Sequence, residues 1–217
     1  MSKLTKRLST MAGLVTGDVV CDVGCDHGKL SKYLLDSGKV KFVYVSDISA
    51  LSLKKAVDLL QEYPDKFKAI CCDGLTGYTG LNVDECIISG MGGYEIMKII
   101  DNAKLDINTY ILSPQHNEIE LKKFLLAHGY NIIYDIIISD KGKFYNVLKA
   151  KKGNKKQNLT QFDLMFGKSN FKSPDSDIKE YIEHNLKKLY LRRDEHGNVD
   201  NDLIKLFLKA KKECEKL

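Results

Sequence analysis

The chain has 217 residues, which is enough for one full domain with a small appendage. Hydrophobic residues make up 43% of it and charged residues 29%, a balance that permits a buried core and excludes wholesale disorder. No apolar run approaches the ~18 residues of a membrane-spanning helix, and the first residues lack a secretory signal pattern, so we expect a cytoplasmic protein without a membrane partner.

The six cysteines are expected to be free thiols. A cytoplasmic protein is kept reduced, and most of these cysteines fall in or beside apolar runs. Cys21, Cys25 and His27 lie close together in the sequence, but no second ligand pair follows at zinc spacing. We therefore expect neither a disulfide nor a metal site.

In chain order, the hydrophobic pattern predicts a short amphipathic helix over residues 4–12 and then a series of buried strands. Five strands are predicted, at Val19–Val23, Lys41–Asp47, Phe67–Cys72, Asp84–Ser89 and Thr109–Ser113. Their apolar runs are mostly continuous, as in parallel strands that are covered on both faces. Helical segments are predicted near residues 30–35, 49–60, 96–100 and 121–126.

Two β-rich runs at Tyr130–Ile138 and Lys143–Leu148 predict a terminal hairpin. Strands that alternate with helices and end in such a hairpin predict an α/β fold with a doubly wound, mostly parallel sheet. The polar stretch 149–158 is interpreted as a boundary, which divides the chain into a sheet domain at 1–152 and a helical domain at 153–217. Apolar faces at 178–191 and 203–210, joined by a polar turn at 195–198, predict an antiparallel helical hairpin.

The net charge of +5 is unevenly distributed. Residues 1–140 carry 15 basic and 18 acidic side chains, whereas residues 141–217 carry 19 basic and 11 acidic ones. A basic appendage on a mildly acidic body suggests a polyanionic partner, with nucleic acid as the first candidate. A lysine-rich, solvated helical surface would have the same composition, so charge alone leaves both interpretations open.

Acidic residues and glycines follow the predicted strands, at the sheet edge where open α/β sheets bind ligands. The first four strands lead into Asp22-Val-Gly-Cys-Asp-His-Gly28, Asp47, Asp73-Gly74 and Gly90-Met-Gly-Gly93. The first loop lacks the Gly-x-Gly-x-x-Gly pattern of dinucleotide sites, which makes a nicotinamide enzyme a weaker alternative. The pattern suits a nucleoside cofactor without pyrophosphate, such as S-adenosylmethionine, with Asp47 on the ribose and Asp73 on the adenine amino group.

Three motifs carry a resemblance to a known family: Asp22-Val-Gly-Cys-Asp-His-Gly28, Ile88-Ser-Gly-Met-Gly-Gly93 and Ile111-Leu-Ser-Pro-Gln115. Together they resemble the bacterial tRNA adenine-22 N1-methyltransferases, the TrmK family. The resemblance implies a Rossmann-like class I methyltransferase domain, S-adenosylmethionine as donor, and N1 of an adenosine in the tRNA D-arm as acceptor. The residues predicted in the cofactor pocket are Asp22, Gly24, Asp26, His27, Gly28, Asp47, Ile48, Asp73, Gly74, Gly90, Met91 and Gly92.

The loop after the fourth strand favours a target other than the exocyclic amine of adenine. Methyltransferases that act on that amine usually carry Asn/Asp-Pro-Pro-Tyr/Phe there, and this chain has Ser89-Gly-Met-Gly-Gly93. For attack by N1, Asp26 and the carbonyl groups of residues 90–93 are candidates to stabilise the developing positive charge, and His27 is a candidate to accept a proton. Asp22 and His27 also have a structural alternative, as residues that hold the glycine turn.

Two basic clusters are predicted to hold tRNA on either side of the cofactor pocket. They are Lys3, Lys6 and Arg7 near the start of the chain and Lys187, Lys188, Arg192 and Arg193 near the tip of the helical hairpin. The hairpin has a competing use as a coiled-coil dimer contact, but it lacks a clean heptad seam, and a monomer is favoured. Two functions of other classes stay open: a small-molecule methyltransferase and a non-enzymatic RNA-binding protein.

Overall fold

The structure, a computed structural model, describes residues 4–192, 198 and 200–216, and within these ranges no helix is long and apolar enough to cross a membrane. Seven strands form one sheet: β1 (Val19–Val23), β2 (Phe42–Asp47), β3 (Phe67–Cys71), β4 (Glu85–Ser89), β5 (Thr109–Ser113), β6 (Tyr130–Asp140) and β7 (Lys143–Lys152). Their order is β3-β2-β1-β4-β5-β7-β6. The strands β1 to β5 are parallel, and β7 is antiparallel to both β5 and β6. The predicted doubly wound sheet with a terminal antiparallel hairpin is confirmed.

Helices cover both faces of the sheet. They are α1 (Lys6–Leu14), α2 (Lys29–Asp36), α3 (Ala50–Leu60), α4 (Gly93–Asp101), α5 (Glu118–Ala127), α6 (Gln161–Phe166), α7 (Ser176–Leu191) and α8 (Asn201–Glu215). On one face α1, α2 and α3 contribute Met11, Leu34 and Leu53 to an apolar cluster. On the other face α4 and α5 contribute Ile96 and Leu121 to a second cluster. Burial on both faces is the reason that the central strands are continuous in apolar residues.

The position of the site follows from the order of the strands. β2 and β3 lie on one side of β1, and the chain then crosses back to place β4 and β5 on the other side. The point at which the strand order switches therefore lies between the neighbouring strands β1 and β4. The loops at the carboxyl ends of these two strands therefore diverge and leave a crevice. Doubly wound sheets bind their ligands at this point.

The C-terminal helices pack on the outer strands of the sheet. α6, α7 and α8 surround a third apolar cluster, to which β6 contributes Ile137, and a 3-10 turn at Lys168–Phe171 connects α6 to α7. Phe144 of β7 lies edge-on to Tyr181 of α7, with ring centroids 5.3 Å apart. The two predicted helices are confirmed, and most of the predicted turn at 195–198 lies outside the described residues. The division into domains after residue 152 stays a prediction.

The start of the predicted polar boundary, at residues 149–152, is wrong, because β7 continues through Lys152. Lys149 is buried, and its Nζ donates to Glu85 Oε1 at 2.8 Å, to the Leu14 carbonyl at 2.7 Å and to Thr16 Oγ1 at 2.9 Å. A lysine is tolerated in the interior because these partners replace its hydration.

α6 has no counterpart among the predicted elements. It is only six residues long, too short for a helical period to stand out in the sequence. The sequence nonetheless contains a signal for the start of this helix, a Thr followed three residues later by an Asp. In the structure the Thr160 side chain accepts from the Asp163 N–H, and the Asp163 carboxylate accepts from the Thr160 N–H.

Candidate functional site

A cavity of about 600 Å³ opens at the carboxyl ends of β1, β2 and β4. The loops after four strands, the first turn of α1 and one side of α4 form its wall. Ten of the twelve residues predicted in the cofactor pocket line it: Asp22, Gly24, Asp26, His27, Asp47, Ile48, Asp73, Gly74, Gly90 and Met91. The topology thus brings together side chains that are far apart in the sequence.

The loop after β1 is held against the end of β2. The backbone N–H groups of Gly24 and Cys25 donate to the Ser46 carbonyl oxygen, at 2.8 and 3.0 Å. Gly24 has a left-handed backbone (φ +70°), and a side chain at this position would collide with the end of Met91. The left-handed backbone is the main reason that this position favours glycine, and the space beside it is occupied by the end of Met91.

Asp47 is fixed in the cavity wall by two backbone N–H groups. Its Oδ2 accepts from Asp26 at 3.2 Å, and its Oδ1 accepts from Ser49 at 2.8 Å. Ser49 is also the N-cap of α3. The carboxylate is half-buried, and each oxygen has a further lone pair that can accept from a ligand hydroxyl. The chain therefore orients Asp47 for a ligand on the open side of the cavity.

Two predicted pocket residues, Gly28 and Gly92, do not line the cavity. Gly28 is the N-cap of α2 with φ +67°, and a Cβ there would lie 2.9 Å from the Cβ of Ala56 in α3. Gly92 is the N-cap of α4, and its N–H donates to Glu95 Oε2 at 2.8 Å. Close packing of α2 against α3 explains Gly28, and the N-cap of α4 explains Gly92. Both glycines stabilise the loops of the cavity wall without lining the cavity.

Asp22 is the most deeply buried acid of the cavity wall, with 5% of its surface exposed. Its pKa is raised to about 6, chiefly by burial. A hydrogen bond from the Ser31 hydroxyl at 2.7 Å opposes this rise, and the nearby Asp47 carboxylate adds to it. Ser31 belongs to α2, so Asp22 ties β1 to that helix. The result is a carboxylate in the cavity wall whose charge changes near pH 6.

Asp26 and His27, the two predicted catalytic residues, lie at the rim of the cavity. Both are exposed, and His27 Nε2 lies 3.5 Å from Asp26 Oδ1. Asp26 has a left-handed backbone (φ 49°), which turns the chain so that its N–H reaches Asp47. Both side chains are therefore accessible to a large acceptor that approaches from outside.

The end of the cavity beside β2 and β3 combines polar groups with apolar surface. Asp73 is exposed, and the adjacent Gly74 packs against Ile99 of α4. Ile48, directly after β2, leaves 73% of its surface exposed. Together with Ile99, it offers a flat ligand ring an apolar contact beside the Asp73 carboxylate.

The loop after β4 is joined to the loop after β5. The Gln115 N–H donates to the Met91 carbonyl at 2.9 Å, and the Gly93 N–H donates to the His116 carbonyl at 2.8 Å. Ser113, at the end of β5, is fully buried, and its Oγ has no hydrogen-bond partner among the described residues. The two loops thus form one connected rim beside the cavity.

The sequence motifs did not predict the part of the wall that helices contribute. Arg7 and Leu8 of α1 and Glu95, Lys98 and Ile99 of α4 all line the cavity. The order and direction of the strands place the strand-end loops at the site. A helix contributes side chains to the site only if it packs beside it. For α4, a signal was available in the spacing of residues 95, 98 and 99, which places them on one face of a helix.

Within the described ranges, no three side chains of His, Cys, Asp or Glu converge to hold a metal ion. Cys21 and Cys25 are buried, whereas His27 points out at the rim. All six cysteines are free thiols. Burial raises the pKa of Cys25, so its thiol stays protonated at neutral pH.

The family model of TrmK, tRNA (adenine(22)-N(1))-methyltransferase, matches residues 20–205 of the chain. The protein belongs to this family. The resemblance carried by the three sequence motifs is thereby confirmed.

Individual relatives agree with the family match. The chain is 31% identical over 214 residues to a Mycoplasma pneumoniae protein provisionally named a tRNA methyltransferase, across 95% of this chain and 99% of that protein. It is 29% identical over 160 residues to the tRNA (adenine(22)-N(1))-methyltransferase of Bacillus subtilis, across 70% of this chain and 67% of that enzyme. The structure of M. capricolum TrmK in complex with S-adenosylhomocysteine has the same fold, with a TM-score of 0.81 at 24% identity, and covers 99% of this chain and 97% of that one.

The residues predicted to contact tRNA near the hairpin tip are partly described. Lys187 and Lys188 lie exposed on α7, and Arg192 follows that helix. Lys3 and Arg193 lie outside the described residues. α7 therefore presents two adjacent lysines to solvent, as the prediction for this member of the TrmK family requires.

Lys6 and Arg7, the other two predicted tRNA contacts, are engaged within the fold. Lys6 Nζ pairs with the buried Asp177 of α7, and Asp177 Oδ2 also accepts from the Ser139 N–H at 3.0 Å. This pair ties α1 to the C-terminal helices. Arg7 lines the cavity, and its guanidinium carbon lies 4.9 Å from the centre of the Tyr145 ring, a cation–π contact.

Proposed function

We propose that the protein transfers a methyl group from S-adenosylmethionine to N1 of adenosine 22 in the D-arm of cytoplasmic tRNA. The observation that carries the proposal is that four predicted strand-end loops meet around one cavity, in a chain that matches the TrmK family over residues 20–205. M. capricolum TrmK, which shares the fold, is in complex with S-adenosylhomocysteine, the product of its natural cofactor.

The residues of the cavity fit S-adenosylmethionine. A volume of about 600 Å³ lies within the range of small-molecule sites. Asp47, held by two N–H groups, is placed to accept from the ribose hydroxyls. Asp73 is placed to accept from the adenine amino group, with Ile48 and Ile99 against the ring. The buried Asp22 suits the ammonium of the methionine moiety.

When bound, S-adenosylmethionine supplies a methyl group that is activated by an adjacent sulfonium. Adenine N1 carries an in-plane lone pair, so the chain does not need a strong base to activate it. The contribution of the chain is to orient the acceptor and to stabilise charge. We assign charge stabilisation on the methylated adenine to Asp26 and to the carbonyl groups of residues 90–93. His27 accepts a proton only from an N1 that arrives protonated.

The acceptor base must reach the cavity from a folded tRNA. N1 lies on the Watson–Crick edge, so any pairing is broken and the base turns out of its stack, at a cost of a few kcal/mol. The exposed rim at Asp26 and His27 leaves the cavity accessible to such a base. The lysines of α7 then hold the phosphate backbone, which offsets part of this cost.

The test is an assay with labelled S-adenosylmethionine and unmodified bulk tRNA, followed by digestion to nucleosides. We expect 1-methyladenosine, and we expect its loss with a tRNA transcript in which adenosine 22 is replaced by guanosine. Label that persists in that transcript, or that appears in another nucleoside, would contradict the proposed target. Label transferred to a small molecule while tRNA stays unmodified would favour the small-molecule methyltransferase.

Replacing Lys187 and Lys188 with alanine is expected to weaken tRNA binding and to flatten its dependence on salt. Each phosphate contact that is lost reduces the slope of log affinity against log salt by about 0.7–0.9. The matched control is Lys66→Ala with Lys68→Ala, which removes two exposed lysines at the opposite edge of the sheet, one just before β3 and one within it. Equal salt slopes for the two double variants would contradict the assignment, and S-adenosylhomocysteine affinity should not change in either.

The affinity for S-adenosylhomocysteine is expected to fall as the pH falls through about 6, the pKa of Asp22. The ionised carboxylate attracts the ligand ammonium and the protonated form does not, so binding should be about tenfold weaker at pH 5 than at pH 8. Asp22→Asn should bind weakly at both pH values. Calorimetry at the two pH values checks this, and a wild-type affinity that does not change would count against a ligand contact of Asp22.

A further inference from the structure

The hairpin of β6 and β7 extends past the sheet edge at which the cavity opens. Leu112, one residue before the end of β5, pairs with Leu148 of β7, so residues 143–146 lie beyond the end of β5. At 3.4 Å per residue, the turn lies roughly 13 Å beyond that strand. β5 is parallel to β4 and β1, whose carboxyl ends open into the cavity. The β6–β7 turn therefore projects at the edge of the sheet that carries the cavity.

The turn is fixed to both α1 and α7. The Arg7 N–H donates to Asp140 Oδ2 at 3.0 Å, and the Arg7 guanidinium carbon lies 4.9 Å from the centre of the Tyr145 ring. The Ser139 N–H donates to Asp177 Oδ2 of α7, also at 3.0 Å. Because Arg7 also lines the cavity, these contacts hold the turn beside the cavity mouth.

Two exposed lysines, Lys141 and Lys143, flank Gly142 in this turn. Within the part of the chain that the structure describes, neither lysine forms a salt bridge. Lys141 has a left-handed backbone with φ 53°, a conformation that asparagine and glycine adopt more readily than lysine. Residues held in such backbone conformations cluster at functional sites, which directs attention to the charge at this position.

The turn connects the basic end of α7 with the cavity. Phe144 follows Lys143, and its ring centroid lies 5.5 Å from that of His184 in α7. Lys187 and Lys188 follow His184 within about one helical turn. The exposed lysines of the turn and of α7 therefore form one basic strip that leads to the mouth of the cavity.

The opposite side of the mouth is acidic. Asp26, Asp47 and Asp73 lie after β1, β2 and β3 and line the cavity, whereas β5 and β7 lie on the other side of β1 and β4. These carboxylates repel a phosphate backbone, and the lysines of the turn attract it. The distribution of charge thus favours a polyanion that passes along the side of β7.

We propose that the β6–β7 turn is a further tRNA contact, at which Lys141 and Lys143 bind backbone phosphates close to the nucleotide that is methylated. This inference rests on the proposed function. A lysine ammonium binds phosphate as a point charge with three donors, so it needs exposure and freedom from other partners, and both lysines have these. The turn is already fixed in the protein without RNA, so little ordering of its backbone opposes binding.

The experiment compares two double variants that remove the same charge from the same hairpin. Lys141→Ala with Lys143→Ala should weaken tRNA binding about 5- to 20-fold at moderate salt and reduce the slope of log affinity against log salt by about 1.4–1.8. The control, Lys151→Ala with Lys155→Ala, removes two exposed lysines at the far end of β7 and just after it. It should keep the affinity and slope of the wild type, and S-adenosylhomocysteine affinity should not change in either variant.

Lys141→Asn separates the charge of Lys141 from the conformation of the turn. Asparagine adopts the left-handed backbone more readily, so the variant should melt at the wild-type temperature or up to about 3 °C higher. Its tRNA affinity should nonetheless fall about two- to fivefold. A lower melting temperature together with a lower affinity would assign Lys141 a structural role and overturn its phosphate contact.

Two further results overturn the inference. Wild-type tRNA affinity and salt slope in Lys141→Ala with Lys143→Ala would show that both lysines are only solvated. Equal losses in the two double variants would show an effect of net charge rather than a contact. If the double alanine variant does not fold, as judged by circular dichroism, Lys141→Asn with Lys143→Gln takes its place in the same comparison. A wild-type protein that neither binds nor methylates tRNA would instead refute the proposed function itself.

Discussion

Replacing Asp47 with alanine is expected to weaken the binding of S-adenosylhomocysteine by about 100-fold or more. Each hydrogen bond to a charged group contributes ~1.5–3 kcal/mol, and the substitution removes both acceptors for the ribose hydroxyls. It also frees the N–H groups of Asp26 and Ser49, which Asp47 holds at 3.2 and 2.8 Å. The loop after β1 and the start of α3 lose a common anchor, so tRNA methylation should fall together with cofactor binding.

Two further variants serve as controls for this prediction. Asp47→Asn keeps the shape and one acceptor oxygen, and it is expected to lose about tenfold. Asp58→Ala removes an exposed carboxylate of α3 that pairs with Lys54 at 2.8 Å, and it should bind as the wild type does. Calorimetry on folded protein measures all three. Wild-type affinity in Asp47→Ala would show that this carboxylate does not hold the ribose.

Replacing Lys149 with alanine is expected to lower the free energy of unfolding by about 3–5 kcal/mol, the usual effect of removing one partner from a buried ion pair. Lys149 Nζ makes three hydrogen bonds, to Glu85, to the Leu14 carbonyl and to Thr16. Without it, the buried Glu85 carboxylate keeps two hydrogen bonds among the described residues, both from Thr16. Denaturation with urea measures the loss.

Lys151→Ala is the matched control for Lys149, because Lys151 is exposed two residues further along the same strand. It should change the stability by less than about 0.5 kcal/mol. A double variant, Lys149→Met with Glu85→Gln, removes both charges and should recover much of the stability that Lys149→Ala loses. Equal stabilities of Lys149→Ala and Lys151→Ala would rule out a stabilising role for the buried pair.

The same network has a defined pH dependence. Burial raises the pKa of Glu85, but hydrogen bonds from Lys149 and Thr16 outweigh it and lower the pKa below its ordinary value of 4.5. Since the pKa is lower in the folded state, the network stabilises the fold above that ordinary value and loses this contribution as the pH falls through the lowered one. The difference in stability between the wild type and Lys149→Ala should therefore shrink on acidification.

The local sequence predicted most of the sheet. β1 and β5 have the predicted bounds because their apolar runs are short and end at polar or glycine residues. The sequence also places Asp22, Asp47 and Asp73 at strand ends, and parallel strands bring their carboxyl ends to one edge. The grouping of these three acids around one cavity needed no knowledge of side-chain packing.

The local sequence did not predict contacts between residues that lie far apart in the chain. Lys149 begins a polar, lysine-rich stretch whose composition is typical of a linker. It is nonetheless buried, because it pairs with Glu85, which lies more than sixty residues earlier in the chain. Lys6 pairs with Asp177, which is farther still. Gly28 belongs to a loop motif but packs against Ala56, a residue of the next helix. In each case the role of the residue depends on a partner that no local pattern contains.

The amino-acid sequence alone determined the order of strands and helices, the residues at the strand ends and the TrmK motifs, because burial on two faces and tight turns leave a local pattern. The tertiary structure alone decided which long charged side chains turn inward. Arg7 lies over the Tyr145 ring and Lys149 pairs with Glu85 because the fold brings these residues together. A buried charge is stable only beside such a partner, and the distance between partners is set by packing rather than by sequence.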